Sequence, residues 1–130
     1  HEHGVVHRDL KPSNVLMDKG DEPRISDFGL AKRMDVEQSI AGGSEVMGTI
    51  PYMSPEQVRG DNKGVDGLSD VYSLGVLLYE MLTGSVPFQG DQRSVMYQVV
   101  HDRPKPPHEI AKTVPRDLET ICLKCLSKEK

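Results

Sequence analysis

Apolar residues along this chain follow two regimes, short runs near its start and helical spacing through its second half. Residues 1–10 read as an opening turn, and Pro12 disfavours helix at Lys11 before it. Val15-Leu16-Met17 is a short apolar run ended by the turn signal Asp18-Lys19-Gly20-Asp21, and Arg24-Ile25-Ser26 is a second run. The two predict a small antiparallel pair around a turn. From Gly29 to Ser54 periodicity fades and small residues gather (Ser39, Ala41, Gly42, Gly43, Ser44, Gly48). That is a long loop, and long loops inside compact domains usually carry function.

Pro55 to Arg59 fits a short helix with proline at its first position. The clearest helix spans Ser69 to Thr83, with Ser69 or Asp70 as its cap and Gly84 closing it. Val71, Leu74, Val76, Leu77, Leu78, Met81 and Leu82 cover most of its circumference. A helix apolar nearly all round belongs in the middle of a core. A second helix is expected from about Ser94 to Val100, after which Pro104, Pro106 and Pro107 predict an extended linker. Pro115 opens a third, with Leu118, Ile121, Cys122, Cys125 and Leu126 on one face. The expected class is α+β, mainly helical with a little sheet at its start.

Composition narrows the possible functions. Hydrophobic content of 36% and charged content of 28% over 130 residues indicate one soluble globular domain rather than a disordered tail. A net charge of −4, few aromatics and no Trp speak against nucleic acid as a partner. Cys122 and Cys125 form a single CxxC without the further ligands a zinc site needs, so they read as small buried hydrophobes. They are compatible with a reducing, cytoplasmic compartment. The longest apolar stretch, Leu74 to Leu82, is interrupted by Glu80 and too short for a membrane span. The first residues carry no signal-peptide pattern.

The candidate chemistry sits in the first half. His7-Arg8-Asp9-Leu10-Lys11-Pro12-Ser13-Asn14 resembles the catalytic loop of protein kinases, H-R-D-L-x-x-x-N. Asp27-Phe28-Gly29 follows at the place of that family's metal-binding triplet. Gly48-Thr49 and Ser54-Pro55-Glu56 resemble the end of its activation segment, and Asp70-Val71-Tyr72-Ser73-Leu74-Gly75 its central helix. Each short match is weak; in this order, over nearly the whole chain, they are specific. The resemblance implies a protein kinase-like fold, represented here by its mainly helical C-terminal lobe with a short hairpin, as a partial kinase domain over residues 1–130.

Phosphoryl transfer rests on positioning and charge neutralisation. The resemblance implies that Asp9 orients and deprotonates the substrate hydroxyl, and that Lys11 meets the transferring phosphoryl group as a point charge. Asn14 and Asp27 would hold Mg2+ ions bridging the phosphates of ATP, suiting a hard cation that prefers oxygen ligands. Leu16 would lie under the adenine ring. Lys11 together with Thr49, which contacts the catalytic Asp in the family, implies the serine/threonine class, and the Gly48–Glu56 segment implies protein substrates. Arg8 and Lys32 are the expected cations for a phosphorylated loop residue, with Ser44, and after it Ser39, as the candidate site. Packing roles are implied for His7 and Phe28 in the stack joining the lobes, for Glu56 paired with an arginine from a later helix, and for Asp70 holding the catalytic-loop backbone. Ser54 replaces the family's usual Ala. Ser13 stands where some kinases selective for basic substrates have Glu, although Glu80 is kept.

The family's glycine-rich loop, strand lysine and helix glutamate all precede the catalytic loop, and only six residues stand before His7. The expectation is therefore a fragment without the N-terminal lobe, marginally stable and inactive by itself. A pseudokinase or scaffold on the same fold is the alternative, and the upstream lysine would decide between them. A small-molecule phosphotransferase shares the Asp-to-Asn loop but lacks the Gly48–Glu56 segment, and a helical domain with accidental motifs is the remaining reading. Gly48 to Gln57 and Tyr79 to Gly84 look most like bacterial serine/threonine kinases, which often sit at the cytoplasmic side of a membrane anchor further along the chain.

Overall fold

The computed structural model describes residues 5–27 and 48–129. A 3-10 turn at Pro12–Asn14 leads into strand β1 (Val15–Met17), which pairs antiparallel with β2 (Pro23–Ile25), Val15 opposite Ile25. The second strand starts at Pro23, one residue earlier than expected, and proline is tolerated at a strand's first position. The Asp18 carboxylate organises the turn, accepting from the Gly20 N–H at 2.7 Å and the Glu22 N–H at 3.1 Å.

A second 3-10 turn at Ile50–Tyr52 precedes helix α1 (Pro55–Val58). Then come α2 (Gly67–Thr83), α3 (Gln92–His101), α4 (Pro107–Ile110) and α5 (Arg116–Cys125). Among the described residues, these five helices outweigh the two short strands, in keeping with the α+β expectation.

The start of α2 differs from the sequence expectation. Asp66, not Ser69 or Asp70, is its N-cap, accepting from the Leu68 N–H at 2.9 Å, while the Asp66 N–H reaches the Ser69 hydroxyl at 3.3 Å. Ser69 and Asp70 are drawn into tertiary contacts instead. Gly84 closes the helix as expected, at φ +78, a left-handed conformation that glycine adopts without a Cβ penalty. The proline-rich linker is also more structured than expected. Residues 102–106 are irregular, but Pro107 opens α4, because proline is well placed at a first helical position.

The core gathers on one side of α2. Val76, Tyr79, Val99, Cys122 and Leu126 are buried there with Phe88, Val95 and Ile50. Helix α5 lies so close that a Cβ on Gly75 would sit 2.7 Å from the Cβ of Cys125, so only glycine permits this approach. The Cys122 thiol is pushed up to about 11, first by burial and then by Cys125 and Glu119, which leaves it a packing group rather than a nucleophile. The opposite side of α2 is open: Leu74 is 45% and Met81 77% exposed. The expected enclosure therefore holds on one side only among the described residues. The α5 face divides likewise, with Cys122 and Leu126 buried and Leu118 and Ile121 exposed. No helix among the described residues is long and apolar enough to cross a membrane.

Candidate functional site

The His7–Asn14 loop is held from below by α2. Asp70, buried in the first turns of that helix, accepts the His7 N–H through Oδ2 at 2.7 Å and the Arg8 N–H through Oδ1 at 2.8 Å. The His7 ring is buried and faces two backbones. Its Nδ1 accepts from the Asp9 N–H at 3.3 Å, and its Nε2 lies 2.8 Å from the Ser26 carbonyl. A proton on Nε2 satisfies both contacts. Arg8 at φ +68 and Asp27 at φ +62 occupy the left-handed region, which costs a residue with a Cβ about 1 kcal/mol or more.

Asp9 is the centre of a compact polar group. The Asn14 amide donates to the Asp9 carbonyl at 2.8 Å and to Oδ2 at 3.2 Å. The Lys11 ammonium sits 3.1 Å from the same Oδ2 and donates to the Thr49 hydroxyl at 2.8 Å. Lys11 thus bridges Asp9 to the buried Thr49, which sequence alone places 40 residues further on. The other carboxylate oxygen, Asp9 Oδ1, is buried with no hydrogen-bond partner among the described residues.

The hairpin links Asp27 to Asn14 by way of Ser26. The Ser26 N–H donates to the Asn14 carbonyl at 2.9 Å, extending the ladder by one pair, and the Ser26 hydroxyl lies 3.1 Å from Asp27 Oδ2. Asp27 is exposed, and Leu16 on β1 is exposed as well. The expectations placed on Phe28, Gly29, Lys32, Ser39 and Ser44 lie outside the described residues.

Residues 48–57 are fixed to α2 by a row of polar side chains. The Ser73 hydroxyl donates to the Tyr52 carbonyl at 2.8 Å, and the Tyr52 hydroxyl donates to Glu80 at 2.7 Å. Burial, then the Glu80 contact, raises the Tyr52 phenol well above its ordinary value, so it stays a donor. Ser69 donates to Glu56. Beside Glu56 is a cavity of about 210 Å³, lined in part by Tyr72, Leu68, Lys124 and Lys128. The Tyr72 hydroxyl is buried without a hydrogen-bond partner among the described residues, and burial, followed by the Glu56 charge, raises its phenol. Gln57 joins the Ser54 backbone to the Arg8 carbonyl.

Sequence reasoning passed over Asp66, Gln57, Ser73 and the Tyr52–Glu80 pair. One signal was available for Ser73: polar residues at 69 and 73, four apart in a largely apolar helix, share one face and need buried partners.

Comparison with known proteins agrees with this architecture. The protein kinase domain family matches residues 1–130. The serine/threonine-protein kinase PknB of Mycolicibacterium smegmatis is 45% identical over 130 residues, covering 98% of this chain and 20% of that protein. PknB of Mycobacterium leprae is 44% identical over 129 residues, with the same two coverages of 98% and 20%. A probable serine/threonine-protein kinase of Clostridium perfringens is 40% identical over 130 residues, 99% of this chain and 18% of that protein. The chain thus spans about a fifth of the length of these relatives. With the family matched from end to end and the loop, hairpin and central helix arranged as described, this chain belongs to the protein kinase domain family.

Proposed function

We propose that the protein containing this chain is a serine/threonine protein kinase that transfers the γ-phosphate of ATP to hydroxyls of protein substrates. Asp9 carries the reading. Its Oδ2 is occupied by Lys11 and Asn14, while Oδ1 is withheld from water and has no partner among the described residues. The side chain nonetheless keeps 30% of its surface exposed, and there, beside Lys11, a substrate hydroxyl can reach the carboxylate. Asp9 then accepts the hydroxyl proton as phosphate is transferred. Lys11, already between Asp9 and Thr49, steadies charge at the phosphoryl oxygens.

Asn14 and Asp27 fit a magnesium site by the chemistry of their donors. The Asn14 nitrogen is committed to Asp9, which leaves its amide oxygen as the donor for a metal, and Asp27 presents an exposed carboxylate. Magnesium takes few protein oxygens and completes its shell with water and phosphate. When bound, it neutralises phosphate charge. Leu16, exposed on β1, is the proposed floor for the adenine. Arg8 is the proposed cation for a phosphorylated loop residue, with Lys32 and Ser44 in the same regulatory roles. Glu56 is the proposed partner of an arginine entering the cavity beside Tyr72. Segment 48–57, held on α2, supports a protein rather than a small-molecule acceptor. A cytoplasmic location follows from dependence on ATP.

The test is phosphoryl transfer from labelled ATP to a serine/threonine protein substrate by the full-length protein, with and without Asp9→Asn. The substitution should lower kcat roughly 10²- to 10⁴-fold. No transfer by the native protein would favour the pseudokinase reading, and equal activity in the variant would remove Asp9 from the chemistry.

A further inference from the structure

We propose that Gln57 is a positioning residue, holding the Arg8–Asp9 peptide, and through it the Asp9 carboxylate, against the first turn of α1. The inference rests on the kinase reading above and adds a residue to it. Gln57 uses both ends of its amide. Oε1 accepts from the Ser54 N–H at 3.0 Å and the Ser54 hydroxyl at 3.2 Å, while Nε2 donates to the Arg8 carbonyl at 2.7 Å. A backbone N–H only donates and a carbonyl only accepts, so these partners permit one orientation of the amide.

The carbonyl it holds belongs to a strained residue. Arg8 has φ +68, where a side chain crowds the backbone, and such a conformation persists only when its surroundings enforce it. Asp70 accepts the Arg8 N–H at 2.8 Å and so fixes the peptide before the Arg8 Cα. Gln57 fixes the peptide after it, the one that leads into Asp9. Release of that second peptide would let it rotate, carrying the Asp9 N–H away from His7 Nδ1 and Oδ2 away from Lys11, contacts now at 3.3 Å and 3.1 Å. Gln57 begins one residue after Glu56, so the clamp ties the placement of the base to the end of segment 48–57. A displacement of α1 would be transmitted to Asp9 through a single side chain.

Gln57→Glu separates this role from the one Gln57 plays at the start of α1, where Ser54 is the N-cap and Gln57 closes a capping box with it. It keeps an oxygen for Ser54 and sets a second oxygen against the Arg8 carbonyl. Gln57→Met, of similar length, lacks both polar ends and serves if the added charge disturbs folding. In the full-length protein, each should lower kcat roughly 5- to 100-fold, with KM for ATP near its native value. The melting temperature should stay near native in Gln57→Glu and fall in Gln57→Met, which also leaves Ser54 unpaired. Amide hydrogen exchange across His7–Leu10 should become faster in both. Native kcat in both variants, a loss of kcat that only tracks a loss of folded protein, or unchanged exchange would each overturn the clamp. If the native protein transfers no phosphate while exchange still accelerates in the variants, the clamp stands and the kinase reading falls.

Discussion

The loop from His7 to Asn14 and the hairpin from Val15 to Ile25 are consecutive in the chain, yet they draw on different partners. The loop reaches far along the sequence, to Asp70 at separations of 63 and 62 residues, to Gln57 at 49 and, through Lys11, to Thr49 at 38. The hairpin is held by its own turn, where Asp18 meets Gly20, Glu22 and Arg24, all within six residues. Burial divides them too, with His7, Leu10 and Asn14 buried and Leu16, Met17 and Ile25 exposed. Distant contacts close long loops, at an entropy cost that grows slowly with loop length. The geometry around Asp9 therefore reports on the whole helical fold. A hairpin this small is marginal by itself, and among the described residues Ser26 ties it to the loop through His7 and Asn14.

Removing Asp70 should break the loop and spare the hairpin. In Asp70→Ala, the His7 and Arg8 N–H groups lose an ionised acceptor in a buried setting, and the two strong hydrogen bonds together should cost about 3 kcal/mol. Denaturant unfolding of the full-length protein measures the loss, and exchange of the Gly20 amide checks that the turn is unaffected. A cost below about 1 kcal/mol would mean that the loop finds other support.

The same contrast explains what the sequence disclosed. The hairpin and the longer helices were legible because a turn signal, a repeat of apolar spacing and a closing glycine are local facts. The candidate loop was legible because its residue types are unusual in combination. The cap of α2 was not, since Asp66, Ser69 and Asp70 are all good capping residues and local propensity does not separate them. Tertiary structure decides: Ser69 is taken by Glu56 and Asp70 by the loop, which leaves the cap to Asp66. For Gln57 the local half was legible, since Ser54-x-x-Gln57 is a capping-box pattern, but its contact with Arg8, 49 residues away, was not. Periodicity identified the apolar faces that carry Leu74, Met81, Leu118 and Ile121 but not what covers them, and all four are exposed.

A smaller effect is expected where α2 holds segment 48–57. Ser73 is buried and donates to the Tyr52 carbonyl at 2.8 Å, with the Ser69 carbonyl at 3.2 Å as a second acceptor. Ser73→Ala should cost about 1 kcal/mol, the net worth of one neutral hydrogen bond. It should also raise exchange in residues 50–54 more than in His7–Leu10, because the loop keeps its Asp70 contacts. Equal acceleration in both stretches would show that loop and segment open together, and would erase the distinction between their anchors.

The smallest effect belongs to the hairpin, and pH exposes it. Asp18 titrates below its ordinary 3.8, first because the Gly20 N–H favours the carboxylate, then because of the Glu22 N–H and the Arg24 side chain. A carboxyl lowered in the folded form binds fewer protons there than in the unfolded form, so its contribution is fully present above 3.8 and is lost as pH falls through the lowered value. The Gly20 and Glu22 amides should therefore stay protected down to about pH 4 and lose protection on further acidification. Asp18→Asn should abolish that pH dependence while leaving the global unfolding midpoint at neutral pH unchanged. Amide exchange or amide chemical shifts followed from pH 6 to pH 2 would decide it. If the His7 and Arg8 amides lost protection at the same pH as Gly20, the hairpin would be coupled to the loop through Ser26 rather than held by its own turn.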